Sequence, residues 1–348
     1  MASRRPSSWR NLYVNNLSRW LLKFLLIGLL VLPAIYLFFH ESDAPPGRFV
    51  VFEVEAGESF RSVSTRLFKE ELISSDSYFY YLARVTGRSA KLKAGEYELN
   101  DKMSAWDILK IITGARVKLY KITIKEGMNM FQIAKLLRER GLVDEVQFLE
   151  ACWDPNFVED LNIPSFTVEG YLFPETYYIP KGTSSRKIIR MFVDMFWSRI
   201  PDGFLEQAQR TPISLHEAII MASVIEKETG LAAEMSLISS VFYNRLAKGM
   251  RLQSDPTAIY DSEPYGGPVK REQLFRKTPF NTYQTAKLPL TPIANPGILA
   301  VQASLFPQET DFLFFVSRRD GSHHFSRSYS EHKKAIEKYL RNSLNTSQ

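Results

Sequence analysis

Between Pro212 and Pro256 the chain reads PISLHEAIIMASVIEKETGLAAEMSLISSVFYNRLAKGMRLQSDP, and this stretch holds the carboxylates best placed to do chemistry. Ser214 can cap a helix while Glu217, three residues on, reaches back to it, and Gly230 supplies a stop. Within that helix Leu215, Ile219, Ala222 and Glu226 recur at the i, i+4, i+7, i+11 spacing of one stripe, which puts the Glu226 carboxyl on an apolar face. A charge is costly there, so the pKa of Glu226 should rise and the group could act as a general acid. Small neighbours, Ala222 and Ser223, leave room for a ligand. A structural ion pair with an Arg or Lys elsewhere would account for the same position. Glu228 falls on the side of Glu217, away from the stripe, which makes it the internal control.

Other chemistries lack their residues. The zinc-protease helix needs a second histidine four positions after the first, but His216-Glu217 is followed by Ile220 at that place. His323, His324 and His332 cluster without the cysteine or carboxylate spacing of a metal site, so no metal is expected. Neither a Gly-x-Ser-x-Gly elbow nor a phosphate-cradling glycine loop occurs, and no cofactor is expected. The one cysteine, Cys152, rules out an internal disulfide and a cysteine zinc cluster. Carboxylate acid/base work remains, yet glycosidases commonly pair two carboxylates. No second one is obvious here: Glu228 points away and Asp255 sits on a loop.

The elements that must position Glu226 predict an α+β chain. Its 348 residues, 45% hydrophobic, suffice for two or three domains. Residues 1–19 read as a cytoplasmic tail and Trp20 to Phe39 as a transmembrane helix, followed by a linker over 40–47. The apolar run is too long for a cleaved signal peptide. Arg4, Arg5, Arg10, Arg19 and Lys23 flank it on the N-terminal side, so the positive-inside rule puts the rest of the chain outside the cytoplasm. They also supply much of the net charge of +6, which therefore gives no case for nucleic acid.

Residues 48–160 contain an internal repeat. FEVEAGESFRSVSTRLFKEELI from Phe52 matches ITIKEGMNMFQIAKLLRERGLV from Ile122, with Gly57 over Gly127 and Leu67 over Leu137. Each copy reads as strand, glycine turn and amphipathic helix, either as a packing pattern alone or as a ligand-binding module. Residues 161–348 form the expected catalytic domain. It opens on SFTVEGYLFPETYYIPKGT (165–183), an extended aromatic run able to line a groove or fill a core. Long turn-rich loops follow Gly249, Phe312 to Val316 reads as a buried strand, Gly321 to His332 as a turn and polar segment, and Tyr329 to Leu340 as the closing helix.

VEGYLFPETYY (168–178), ASVIEKET (222–229), NRLAKGMRLQSDPT (244–257), NTY (281–283), IANPG (293–297) and the His323–His332 segment occur in that order. Together they resemble the MltG or YceG-like family of membrane-anchored endolytic murein transglycosylases, over the chain from the apolar run to the last helix. The resemblance implies cleavage between N-acetylmuramic acid and N-acetylglucosamine within peptidoglycan glycan strands, leaving 1,6-anhydromuramic ends. The muramic C6 hydroxyl would be the nucleophile, so a single glutamate, Glu226 by resemblance, serves as acid and then base. The resemblance further implies that Glu175, Tyr177, Gln253, Asp255, Asn281 and Tyr283 bind substrate and that the repeat is LysM-like. It also implies an inner-membrane, single-pass protein with its catalytic domain in the periplasm and peptidoglycan synthases as partners. A non-catalytic wall-binding scaffold and a muramidase that uses water are the alternatives.

Overall fold

Both copies of the repeat fold as a strand, helices and a returning antiparallel strand. The computed structural model describes residues 47–341, apart from 56, 115, 116, 202, 211 and 263–266. The expected transmembrane helix and the N-terminal tail lie outside the described residues, among which no helix is long and apolar enough to cross a membrane. The chain divides into two compact units between Lys118 and Leu119.

In the first unit β1 (Phe49–Val54) leads into α1 (Phe60–Lys69) and α2 (Asp76–Val85), then β2 (Gly95–Asn100) and α3 (Ala105–Thr113). β1 pairs antiparallel with β2, Phe52 opposite Tyr97. Ser59, Ser75 and Ser104 cap the three helices through their side chains. Alternation along β1 turns Phe52 and Val54 inward against Val63, Leu67, Phe79, Leu99 and Ile108, which close a small core.

The second copy runs through β3 (Leu119–Thr123), α4 (Met130–Glu139), α5 (Glu145–Cys152) and α6 (Pro155–Asp160) to β4 (Thr176–Pro180). Ile122 stands opposite Tyr177. The sequence grouped this copy with the first over 48–160, whereas it lies within the second unit. The reason is its core: Ile122, Ile133 and Leu137 join one continuous cluster with Phe192, Ile219 and Phe242.

That cluster surrounds α9. After α7 (Ser185–Arg199) and α8 (Phe204–Arg210), α9 spans Leu215–Glu228 and starts at the expected capping box of Ser214 and Glu217. Thr229, in extended conformation, ends it. Every residue from Ala218 to Ile225 is buried, because α10 (Ala232–Ala247), α11 (Ile298–Leu305), α8 and the 3₁₀ turn Asp255–Ala258 enclose the helix. With its middle two turns buried on every side, the helix has no single apolar stripe from which Glu228 could be said to point away. Truncating one of its isoleucines to alanine should cost about 2–5 kcal/mol.

The chain closes with the hairpin β5 (Phe314–Ser317) and β6 (His323–Ser326) and with α12 (Tyr329–Ile336). Here the structure corrects two expectations. Gly321 to His332 is no plain turn, since His323–Ser326 pairs as β6, and of the expected buried strand Phe312 to Val316 only Val316 is buried. A two-stranded hairpin has no further strand to cover its sides. Among the described residues the sheets are three antiparallel pairs, and the fold is mixed α+β.

Candidate active site

Glu228, at the last position of α9, faces a cavity of about 330 Å³ shared with Arg245, Leu252, Gln253, Asp255, Tyr283, Phe315 and His332. Its route there is set by the segment after α10. Gln253 adopts a left-handed backbone conformation, φ 51°, which an unbranched side chain tolerates at a cost of about 1–3 kcal/mol. This turn buries Leu252 on one side and Ser254 on the other. Ser254 is then locked by its neighbours. Its N–H donates to Thr282 Oγ1 (3.0 Å), its carbonyl accepts from Thr257 Oγ1 (2.6 Å), and its own hydroxyl donates to Glu228 Oε1 (2.5 Å).

Burial pushes the Glu228 pKa up to about 7, with the Asp255 charge adding to it, while the Ser254 hydroxyl and the Arg245 guanidinium oppose the rise. About half of such a carboxyl group carries its proton at neutral pH, the condition a general acid needs. The residue retains partial solvent access. Asp255 accepts from the Tyr283 hydroxyl at 2.5 Å. Arg245 spends its guanidinium on the Leu313 carbonyl (2.7 Å) and the Leu252 carbonyl (2.6 Å), which ties α10 to the cavity floor.

Glu226, the residue singled out from the sequence, lies elsewhere. Its Oε2 accepts the N–H of Gly297, the residue that opens α11, at 3.0 Å. The Glu126 carboxylate presses on the same glycine, where a Cβ would overlap it. Next along α9, Lys227 donates to the Gly127 carbonyl at 3.1 Å. The Glu226 pKa is also raised, by burial first and by the Glu126 charge, against the Gly297 N–H and the Lys227 charge. Glu226 thus joins the glycine turn of the second repeat copy to the start of α11, and it does not line the Glu228 cavity.

Of the other expected binding residues, Gln253, Asp255 and Tyr283 come together around Glu228. Asn281 is fully buried; its amide reaches the carbonyls of Gln273 (3.1 Å) and Arg276 (2.8 Å), and its oxygen accepts the Tyr283 N–H (3.0 Å). It shapes the loop that carries Tyr283. Glu175 pairs with Arg199 at 2.8 Å, and Tyr177 is buried against Phe192 with its hydroxyl on the Phe173 carbonyl. These last two belong to β4 and its packing, so aromatic type alone did not distinguish core from groove.

A third carboxylate, Glu169, is completely buried and has a pKa pushed up to about 7 by burial, against donors from Met130, Tyr260 and Asn295. Both of its oxygens accept the Met130 N–H at the start of α4, and Tyr260 (2.9 Å) and Asn295 (2.8 Å) complete the set. Asn295 Oδ1 accepts the N–H groups of Gly170 and Leu172 (2.9 and 2.8 Å), so VEGYLFPETYY and IANPG are knit into one support. The three histidines disperse: His323 pairs with Glu234 at 2.7 Å, His324 lies against Tyr339, and His332 stacks on Phe314. Sequence reasoning missed Ser254, Arg245 and His332 as members of the site. The signal was an arginine within the apolar run of α10 and a serine preceding Asp255.

The YceG-like family model matches residues 52–338. An endolytic murein transglycosylase of Bacillus subtilis is 32% identical over 308 residues, 84% of this chain and 85% of that protein. One from Streptococcus pneumoniae is 26% identical and covers 87% of this chain, which spans 60% of the pneumococcal protein. A crystal structure of a YceG-like protein from Listeria monocytogenes superimposes with a TM-score of 0.57 at 32% identity, covering 82% of this chain and 98% of that one. With the matched region running from β1 through α12 and including every residue around Glu228, the chain belongs to the YceG-like family.

Proposed function

We propose that this protein is an endolytic murein transglycosylase in which Glu228 is the general acid and then the general base. The observation that carries this reading is the enclosure of a carboxyl group with a pKa near 7 in a cavity that also collects Gln253, Asp255 and Tyr283. The protonated Glu228 gives its proton to the oxygen linking N-acetylmuramic acid to N-acetylglucosamine as the C1–O bond breaks. The resulting carboxylate takes the proton of the muramic C6 hydroxyl as that oxygen bonds to C1. The acid is regenerated, no water is consumed, and a 1,6-anhydro end remains. The names of the Bacillus and Streptococcus relatives support this substrate and reaction.

A specific observation favours one other reading. Asp255 stands in the same cavity, as the second carboxylate of a water-using muramidase would. Against it, Asp255 Oδ1 is held by the Tyr283 hydroxyl. Mass analysis of products from uncrosslinked glycan decides: anhydromuramic ends support the transglycosylase, reducing ends the muramidase, and no new ends a wall-binding scaffold.

The finer assignments belong to the same reading. Residues 20–39 anchor the protein in the inner membrane with the catalytic unit outside the cytoplasm, where peptidoglycan synthases would be its neighbours. The βααβ copy of the first unit serves as a LysM-like glycan-binding module. Its glycine turn supports this: a Cβ at Gly57 meets nothing within 4 Å, whereas the matching turn at Gly127 is packed on Glu226 and Lys227. Glycan binding by residues 47–118 with a Gly57-turn dependence is the corresponding test.

A further inference from the structure

A second cleft of about 820 Å³ lies in the same unit and takes no part in the scheme above. It is larger than the Glu228 cavity and falls within the range of about 300–1,000 Å³ usual for ligand sites. Three stretches of chain contribute to both. On α10, Asn244 lines the cleft and Arg245 the cavity; on the approach to β5 and in the strand itself, Phe312 lines the cleft and Phe315 the cavity; after β6, Arg327 lines the cleft and His332 the cavity. The two spaces are therefore neighbours across α10 and the start of β5.

The floor of the cleft is already bonded. The Ser240 and Thr310 hydroxyls meet at 2.6 Å, Asn244 Nδ2 donates to the carbonyls of Thr310 (2.7 Å) and Phe312 (3.0 Å), and the Tyr243 hydroxyl donates to the Ser304 carbonyl (2.8 Å). Charge is carried instead by exposed side chains of both signs: Arg210 and Arg327, Glu309 and Asp311. Arg327 Nε and Asp311 Oδ2 stand 3.8 Å apart, too far for a hydrogen bond, and both side chains are open to solvent. Exposed pairs of this kind hold together weakly, so a ligand with its own charges can separate them at little cost. Phe312, 5.6 Å from the Arg327 guanidinium, and the half-exposed Phe306 add apolar surface.

These features match the short peptide carried on the lactyl group of muramic acid in peptidoglycan, which presents carboxylates, an ammonium group and methyl side chains. We propose that the cleft binds this stem peptide of the muramic acid seated at Glu228, with Arg210 and Arg327 taking its carboxylates and Glu309 and Asp311 its ammonium group. The proposal rests on the reading of the Glu228 cavity as the reaction site. Guanidinium forks suit carboxylates geometrically as well as by charge. A peptide of about four residues reaches about 14 Å when extended, more than the roughly 10 Å diameter of the helix that both spaces share. The strand is then held at its sugars and at its side branch, and a strand stripped of peptide loses the second hold.

The test measures kcat/KM for anhydro-end formation by the full-length protein on uncrosslinked strands that keep their peptides and on the same strands after an amidase has removed them. Rates are taken at about pH 6, below the alkaline limb of the profile along which Glu228 gives up its proton. Wild type should prefer peptide-bearing strands by roughly tenfold or more, in line with one charge-assisted hydrogen bond. Combining Arg210→Gln with Arg327→Gln should bring that ratio close to one, with thermal unfolding unchanged because both side chains are exposed. Lys187→Gln combined with Arg190→Gln, two exposed cations on α7 away from the cleft, should leave the ratio as in wild type. A wild-type ratio near one overturns the proposal, as does a ratio that survives in the Arg210 and Arg327 variant or falls equally in the α7 control. Absence of anhydro ends from wild type on either strand overturns the underlying reaction instead.

Discussion

Glu226 and Glu228 share the last turn of α9, and both have raised pKa values, yet they belong to different parts of the molecule. Around Glu226 are backbone and charge: the Gly297 N–H, the Glu126 carboxylate, and the Lys227 contact with the Gly127 turn. Around Glu228 is a cavity, with one short hydroxyl bond from Ser254 and with Gln253, Asp255 and Tyr283 on its lining. A perturbed carboxylate is thus no guide by itself to which residue reacts. The cavity beside Glu228 is what makes it the candidate reacting group.

The largest effect expected from this contrast is on rate. Glu228→Gln removes the transferable proton and should lower kcat by about 10²–10⁴, read as anhydro ends formed per unit time. Next come shifts in the alkaline limb that only neighbours of Glu228 can cause. Ser254→Ala deletes a donor that favours the ionised carboxylate, so the limb should move to higher pH. Asp255→Asn deletes a charge that opposes ionisation, so the limb should move to lower pH. Neither shift is expected from Glu126→Gln, whose charge bears on Glu226.

Stability should change in the opposite sense to activity. The Glu228 pKa is raised in the folded state from 4.5 to about 7, so folding favours its protonated form. Stability from this source is full below the unfolded value and is lost as pH rises through the folded one. Glu228→Gln removes that loss. It should therefore stabilise the protein at pH 8 by about 1–2 kcal/mol, and give no such gain near pH 4, in denaturant titrations at the two pH values. The smallest effect is expected at Gly297→Ala. The new Cβ meets only the Glu126 side chain, which can turn aside, and the glycine's φ of −72° suits alanine, so unfolding should move by less than about 0.5 kcal/mol.

Much of this was legible in the sequence. The Ser214–Glu217 capping box, the two repeat copies and the extended run before β4 follow from local rules, and local rules operate here undisturbed. The family resemblance grouped Gln253, Asp255 and Tyr283 with Glu175, Tyr177 and Asn281, and the first three line the Glu228 cavity. Where Glu226 and Glu228 each point was not legible, because the wheel presumes one buried stripe and α9 is buried on every side from Ala218 to Ile225. Which partner each carboxylate meets depends on Ser254 and Gly297, residues 26 and 71 positions away in sequence. Asn281 and Tyr177, expected by resemblance to bind substrate, are both buried. Side-chain type indicates what a residue can bind, while burial decides what it does bind, and burial is set by the whole chain.

The most direct test of this account places Glu228→Gln and Glu226→Gln in one assay on uncrosslinked glycan strands and counts anhydromuramic ends by mass. Glu228→Gln should make almost none while remaining folded, and Glu226→Gln should retain activity within about tenfold of wild type, its losses coming from packing. Loss in Glu226→Gln with activity kept in Glu228→Gln would contradict it outright.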